Sequence, residues 1–576
     1  MTAAASSRRM IGSGAEELRS MLATSRDVVL LAMAVGATTG LLVAGLDRLI
    51  ITDLLDHVRE LPLALVAIAP GVGLAISALA LRRMGNGVSP STADEYVKAI
   101  PKNDVPFDLR SVPARLVASV ATLGTGGAGG LEGPSVFIGT AVGAAAHDRL
   151  RRVLRNVDRR AAVVAGAAAG VAAIFKAPAT GAVFALEVPY QEDLTQHGLL
   201  PALVGGASGY VTFVAVNGTE RLFPVSGNPD LALRDLAMAA AIGLTCGVGA
   251  RVFAAVVGFA KRLRSRIGVV PRVLASAAIM AALVVASDAA FDGALLTIGP
   301  GYGALEYALD PSRTLWLIAL LATMRVLATA TTVTGDGVVG MFVPLVLQGA
   351  LTGRLLAGFT HADNQSLFIV VGVAAFLGAG YRVPLSAVMF VAEATGRPGF
   401  VVPGLIAATI AELVMGTSSV STYQRRRRSD YVEQRAELPI STVLATDAAT
   451  SRADDTVAQF FAEHVSLARR RAVPLVDGDG CYEGLVLLDD VLAVDPSDWA
   501  ETTLAEVAAT DLPVAGPDWT VGQALRQMVD ANVDHLPVTD GEGHLRGMVT
   551  SDAILDRNDL LERLSASRDP RRVRGI

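Results

Sequence analysis

Glu132 stands in the motif Gly130-Leu131-Glu132-Gly133-Pro134 and is the only acidic or basic residue between Leu116 and Ala146. Glycine lets the backbone turn and proline suits the first turn of a helix, so Gly-x-x-x-Pro reads as a helix start. The free N–H groups of a helix start attract anions. A carboxylate placed there occupies the same positive site as an anion, and protonation releases it. A second motif of this form is Gly340-Met341-Phe342-Val343-Pro344. Two such starts converging on one dehydrated anion would make an anion pathway. A cation pathway would want rings of carboxylates or backbone carbonyls, and no such motif is visible.

The elements that must hold these motifs are apolar. Of 576 residues 52% are hydrophobic and only 18% charged, against about 25% charged in soluble proteins. That balance excludes a disordered chain, and two cysteines, Cys246 and Cys481, exclude a disulfide scaffold. The net charge of −6 shows no nucleic-acid footprint, and no partner of that kind is expected. No metal cluster, nucleophile triad or phosphate loop marks an enzyme. Val28–Leu46, Leu61–Leu81 and Gly198–Thr219 carry no charge and are long enough to span a bilayer. Leu116–Leu131, Ala161–Phe175, Leu236–Ala250 and Gln365–Tyr381 are shorter and broken by glycine or proline, which predicts tilted or discontinuous helices. Basic clusters at Arg8–Arg9, Arg82–Arg83, Arg149–Arg160, Lys261–Arg266 and Arg425–Arg428 place their loops, and both termini, in the cytoplasm. The expected location is the cell (inner) membrane, crossed several times.

The membrane part repeats itself. FKAPATGAVFALE from Phe175 matches YRVPLSAVMFVAE from Tyr381, and GLEGPSVFIGTAVG from Gly130 matches GMFVPLVLQGALTG from Gly340. The offsets are 206 and 210 residues. Transporters built from two repeats bind substrate at the repeat interface. The tail repeats too: AVPLVDGDGCYEGLVLLDDVL from Ala472 matches HLPVTDGEGHLRGMVTSDAIL from His535, each reading as helix, strand, Asp-Gly turn, strand, helix.

GLEGP and GMFVP resemble the GxEGP and GxFxP signatures of the CLC family of chloride channels and proton-coupled chloride transporters, and FKAPATGAVFALE is similar to that family's sequence. The resemblance spans about Val28 to Arg428. It implies an all-α polytopic membrane domain of two inverted repeats, and a homodimer with one anion pathway per subunit. Glu132 takes the place of the gating glutamate, and the N–H groups of Met341 and Phe342 would line the central anion site. Tyr423, in SSVSTYQRRRR, takes the place of a tyrosine whose hydroxyl faces the anion. The family's GSGIP is matched by GNGVS, so Asn86 replaces an anion-contacting serine and Ser89 replaces the proline. Asn86 still offers an N–H donor. Leu131 replaces the arginine common in GREGP. Glu220 falls where proton-coupled members carry an internal proton-transfer glutamate. Glu187 and Glu393 are expected to make structural contacts with buried basic or helix-end groups.

The tail resembles a pair of CBS domains, an α/β cytoplasmic module. Such pairs often bind adenine nucleotides through Thr-x-x-Asp. Here the first copy has Leu487 and Asp490, and the second has Thr550 and Ala553, so each keeps half the motif. That speaks against a bound adenine nucleotide and for a dimerising, stabilising module; no other cofactor is expected. The division is then 1–27 cytoplasmic segment, 28–428 transport domain, 437–560 tandem CBS domains (about 437–500 and 505–560), and 561–576 basic tail. The implied function is transport of chloride, probing also fluoride or nitrate as cargo, most directly as chloride/proton antiport. A passive voltage- or pH-gated chloride channel and a fluoride/proton antiporter stay open.

Overall fold

The protein is described from a computed structural model covering residues 26–100, 107–150, 158–195, 198–219, 233–360, 364–425, 438–463, 472–531 and 533–554. It divides into two units, one ending at Arg426 and the other beginning at Arg427. Each is described by itself.

The first unit is helical. Its first half contains α1 (Arg26–Glu60), α2 (Leu63–Arg83), α3 (Ala93–Ala99), α4 (Val112–Gly124), α5 (Glu132–Leu150), α6 (Arg159–Phe175), α7 (Pro178–Glu187) and α8 (Leu199–Asn217). Its second half contains α9 (Leu233–Arg266), α10 (Val269–Ala290), α11 (Tyr302–Leu309), α12 (Leu315–Thr334), α13 (Phe342–Phe359), α14 (Gln365–Tyr381), α15 (Pro384–Thr395) and α16 (Val401–Met415). Eight segments among the described residues are long and apolar enough to cross a membrane.

The two halves match helix for helix, and their contacts are reciprocal. The Glu187 carboxylate accepts from the N–H groups of Leu385 (3.0 Å) and Ser386 (2.9 Å) and from the Ser386 hydroxyl (2.5 Å), at the start of α15. The Glu393 carboxylate accepts from the N–H groups of Ala179 (2.9 Å) and Thr180 (2.7 Å) and the Thr180 hydroxyl (2.6 Å), at the start of α7. Thr122 Oγ1 accepts from Val338 N–H at 3.2 Å, and Thr332 Oγ1 accepts from Ala128 N–H at 3.1 Å. Contacts of the form i to j and j to i define a pseudo-twofold axis.

Packing within each half relies on close backbone approach. A Cβ at Gly139 would collide with the Gly166 carbonyl, and a Cβ at Gly349 with the Gly372 carbonyl. Glycine thus sets how closely α5 crosses α6, and α13 crosses α14, the interface chemistry of membrane helices. The glycine-rich stretches Ala161–Phe175 and Gln365–Tyr381 are continuous helices, α6 and α14, each ended by a left-handed residue, Lys176 or Arg382. Leu236–Ala250 departs from the sequence expectation of a short or broken segment. It lies inside the unbroken 34-residue α9, which runs on through Arg251. Arg251 ends the apolar window without ending the helix, because its side chain is exposed and donates to the Val414 carbonyl at 3.3 Å.

The second unit holds two copies of one motif. Strands β1 (Ala472–Val476) and β2 (Tyr482–Leu487) pair antiparallel, as do β3 (His535–Thr539) and β4 (Leu545–Thr550), with a register shift at the same point of each. The helix before each hairpin, α17 (Val457–Glu463) or α18 (Val521–Ala531), opens on a Thr-x-x-Gln capping box formed by Thr456 with Gln459 or Thr520 with Gln523. The turns lean on each other: Tyr482 N–H donates to the Gly543 carbonyl and Leu545 N–H to the Gly480 carbonyl, both at 3.0 Å. In the first turn the N–H of Cys481 holds the Asp477 carboxyl below the usual carboxylate range.

Candidate functional site

The site forms where the two repeats meet. α5 begins at Glu132 and α13 at Phe342, and the segments leading into them are tied by a two-hydrogen-bond bridge. Gly130 N–H donates to the Gly340 carbonyl at 3.0 Å and Gly340 N–H to the Gly130 carbonyl at 2.7 Å. No side chain caps α13 from its own N-cap residue, Met341. The cap comes from the other repeat: Glu132 Oε1 accepts from the N–H of Phe342, and the Val343 N–H also faces the carboxylate. Glycine on both sides leaves room for the carboxyl group where it sits, since a Cβ on Gly130 or Gly340 would overlap it. Gly133 keeps a third face narrow: a Cβ there would stand 2.7 Å from Thr92 Oγ1 and 3.0 Å from the Gly340 Cα.

A helix start carries about half a positive charge. The Glu132 carboxylate is therefore held as an anion would be, by amides of a helix to which it does not belong. It is 2% exposed, and its second oxygen, Oε2, has no hydrogen-bond partner. Thr92 Oγ1, also buried, has none either. An oxygen able to take a proton, beside Gly130, and a hydroxyl able to donate one, beside Gly133, thus both stand unpaired. Buried polar atoms are rarely left so, and those that are call for a functional account.

Around this pair the site is aromatic. The Phe342 ring stacks on Phe175 with centroids 4.1 Å apart and meets Phe390 edge-on at 5.0 Å and Phe184 at 5.7 Å. The Tyr381 hydroxyl accepts from the N–H of Met341 at 3.4 Å, completing the amide row at the start of α13. Tyr302, the first residue of α11, is close enough to feel the charges of both Glu132 and Asp47.

The structure therefore brings together Gly130, Leu131, Glu132, Gly133, Gly340, Met341 and Phe342. Leu131 contributes through its carbonyl, which accepts from Ser135 N–H (2.9 Å) and Oγ (2.8 Å), while its side chain is in the core. Two other expected residues stand elsewhere. Tyr423 is half-exposed, with Lys98 Nζ 3.9 Å from its ring centroid, and the tyrosine facing the α13 amides is Tyr381. Asn86 is solvent-exposed in the turn that ends α2. It takes φ 51° and Gly87 φ 78°, and Gly87 N–H donates back to the Leu81 carbonyl at 2.9 Å. Asparagine and glycine tolerate left-handed backbone better than other residues, so GNG is a helix-ending turn. Glu220 lies outside the described residues. Among the described residues no group of three or more His, Cys, Asp or Glu could hold a metal.

Thr92, Tyr302 and Tyr381 were not picked out by motif. The repeat itself held the signal for Tyr381, which stands opposite Phe175 at the 206-residue offset. A hydroxyl replacing a hydrogen where the repeats otherwise agree marks a place where their roles diverge.

The family model described as voltage gated chloride channel matches residues 73–416, and that of the CBS domain matches residues 504–559. The H(+)/Cl(-) exchange transporter ClcA of Yersinia pseudotuberculosis serotype IB is 24% identical over 461 residues, covering 74% of this chain and 92% of that protein. A slow cyanobacterial Cl-/H+ antiporter of known structure superposes with a TM-score of 0.60 at 20% identity, covering 68% of this chain and 94% of the other. A CLC-type fluoride/proton antiporter does so with a TM-score of 0.60 at 22% identity, covering 69% and 98%. What these structures share with this chain is the fold: CLC-like helical repeats, here followed by a CBS region with small sheets.

Proposed function

The chain belongs to the voltage gated chloride channel family, membrane proteins that transport rather than catalyse, and from that premise we propose that it exchanges chloride for protons across a membrane. One observation carries the reading: the Glu132 carboxylate is seated on the N-terminal amides of α13, the donors an anion would use. Carboxylate and chloride then compete for one positive helix end. When Glu132 is ionised it fills the site. When it takes a proton, it lets go and chloride enters beside the amides of Met341 and Phe342 and the Tyr381 hydroxyl. Return of chloride in the other direction leaves the amides to the carboxylate again, which sheds its proton. A charge-assisted hydrogen bond is worth about 1.5–3 kcal/mol, enough for either occupant to displace the other within ordinary concentration ranges. Glu220 is the group assigned in this reading to pass protons on the inner side. The names of the similar transporters, which exchange chloride for protons, support the same direction.

The experiment is paired chloride and proton flux in sealed liposomes. Glu132→Gln is nearly isosteric, is neutral at every working pH and mimics the protonated acid. It is expected to leave chloride flux open, flatten its pH dependence and abolish proton coupling. Uphill proton transport surviving in Glu132→Gln overturns the assignment. Failure of the parent protein to move protons against their gradient favours the passive channel instead. Fluoride is the second reading, favoured by the likeness to a fluoride/proton antiporter; fluoride is therefore run beside chloride in the same assay.

The reading includes a homodimer in the cell membrane with both termini cytoplasmic, and a CBS pair that stabilises the assembly without a nucleotide. Cross-linking of purified protein and protease accessibility in oriented vesicles test these parts.

A further inference from the structure

A polar cavity of about 330 Å³, with Glu132 not among its lining residues, lies between the end of α2, the junction of α9 with α10, and the loop joining α12 to α13. Arg82, Gly87, Arg264, Val269, Arg272 and Asp336 are among its walls. Three guanidinium groups face one carboxylate there. Asp336 is buried and already engaged: it accepts from Arg264 Nε at 2.5 Å and from an Nη of Arg272. The charge of Arg82 and part of that of the pair remain for something else.

Arg272 is 7% exposed. One terminal nitrogen donates to the carbonyls of Arg264 (2.6 Å) and Ile267 (3.2 Å) and the other to Asp336, while its Nε is buried with no partner. The 22-residue α10 begins at Val269 with Gly268 as its N-cap, so no side chain satisfies its first-turn amides. The uncapped start of α10 at Gly268 and Val269, the buried Arg272, the partly buried Arg264 and the exposed Arg82 thus border one chamber, three guanidinium groups to one carboxylate. What would satisfy them together is a multi-oxygen anion. A water molecule's share of liquid is about 30 Å³, so a bare halide would leave most of the chamber to solvent and could not reach all the donors. A tetrahedral phosphate can, since arginine forks and helix starts both match its oxygens.

We infer that this cavity is a binding site for a phosphate group, distinct from the anion site at Glu132. The group belongs either to an anionic lipid headgroup or to a soluble phosphate. Asp336 stands four residues before Gly340, so an occupant tied to Arg264 and Arg272 braces the loop that leads into the α13 amides. Occupancy is expected to change turnover without changing which ions are coupled.

The test uses the full chain in detergent, with three probes at matched ionic strength: inorganic phosphate, a short-chain phosphatidic acid and sodium chloride. Melting midpoint and native mass spectrometry are the readouts. Either phosphate probe is expected to raise the midpoint more than chloride does. Response to phosphatidic acid alone assigns a lipid source, and response to inorganic phosphate assigns a soluble one. Arg82→Gln alters an exposed side chain and is expected to fold normally while weakening the probe about tenfold, the loss of one charge-assisted contact. Arg272→Lys keeps the charge and removes the fork, and is expected to weaken it as well. Equal shifts from chloride and both phosphate probes, or unchanged phosphate binding in both variants, overturn the inference.

Discussion

Tyr381 and Phe175 occupy matching positions of the two repeats, yet only Tyr381 presents a hydroxyl to a backbone amide at the start of α13. Tyr381→Phe keeps the ring and its edge-on contact with Phe184, 5.7 Å between centroids, and leaves Met341 N–H without that acceptor. The loss of one neutral hydrogen bond is about 1 kcal/mol. Chloride flux from liposomes is expected to fall about fivefold with little change in melting midpoint; unchanged flux and apparent affinity would remove Tyr381 from the site. Asn86 makes the opposite case. Its backbone is left-handed at φ 51° in an exposed turn, so its side chain answers to conformation. Asn86→Ala is expected to destabilise the protein by about 1 kcal/mol, and Asn86→Gly to leave it unharmed. Neither should alter the ratio of chloride to fluoride flux. A changed ratio in Asn86→Gly would return the side chain to the transport pathway.

At the scale of elements, Glu187 and Glu393 each cap a helix of the opposite repeat through three hydrogen bonds. They are the same device as Glu132 on α13, with one difference. Both oxygens of Glu187 and of Glu393 are engaged, whereas Glu132 keeps Oε2 unpaired. A fully satisfied carboxylate holds two helices in register; a half-satisfied one can exchange its partner. Glu393→Ala strands the N–H groups of Ala179 and Thr180 and is expected to cost roughly 3 kcal/mol, read as a lower midpoint for monodisperse protein in detergent. Glu187→Ala should cost about as much, because the pseudo-twofold gives it the same partners. Proton coupling should survive in whatever fraction stays folded, and its loss in a well-folded Glu393 variant would give that carboxylate a transport role.

The whole molecule divides between Arg426 and Arg427, and the machinery around Glu132 lies entirely in the first unit. A chain ending at Arg426 is therefore expected to move chloride and protons in the parent ratio, with the Glu132 site unchanged and with a lower melting midpoint if the tail stabilises the assembly as proposed. Paired flux on the truncated, monodisperse protein checks this. Complete loss of flux in a folded truncation would make the tail part of the mechanism.

Composition and the two internal offsets were enough to read membrane helices, duplicated halves and an anion-attracting helix start at Glu132. These are local or periodic properties: helix length, a Gly-x-x-x-Pro entry into a helix, and agreement between residues at fixed separation all survive in one dimension. The continuity of α9 was not legible, because an exposed arginine ends a hydrophobic window without ending a helix. Nor was the partner of Glu132, since the Phe342 amide lies 210 residues away and a backbone N–H leaves no mark on residue type. Tyr381 and Tyr423 are both tyrosines beside apolar stretches, and only packing against Phe184 and α13 decides which one faces the amides. Asn86 was read through side-chain chemistry while the fold uses its backbone. Tertiary structure alone decided which helix ends meet across the pseudo-twofold, because that depends on how closely Gly130, Gly133 and Gly340 let the two repeats approach.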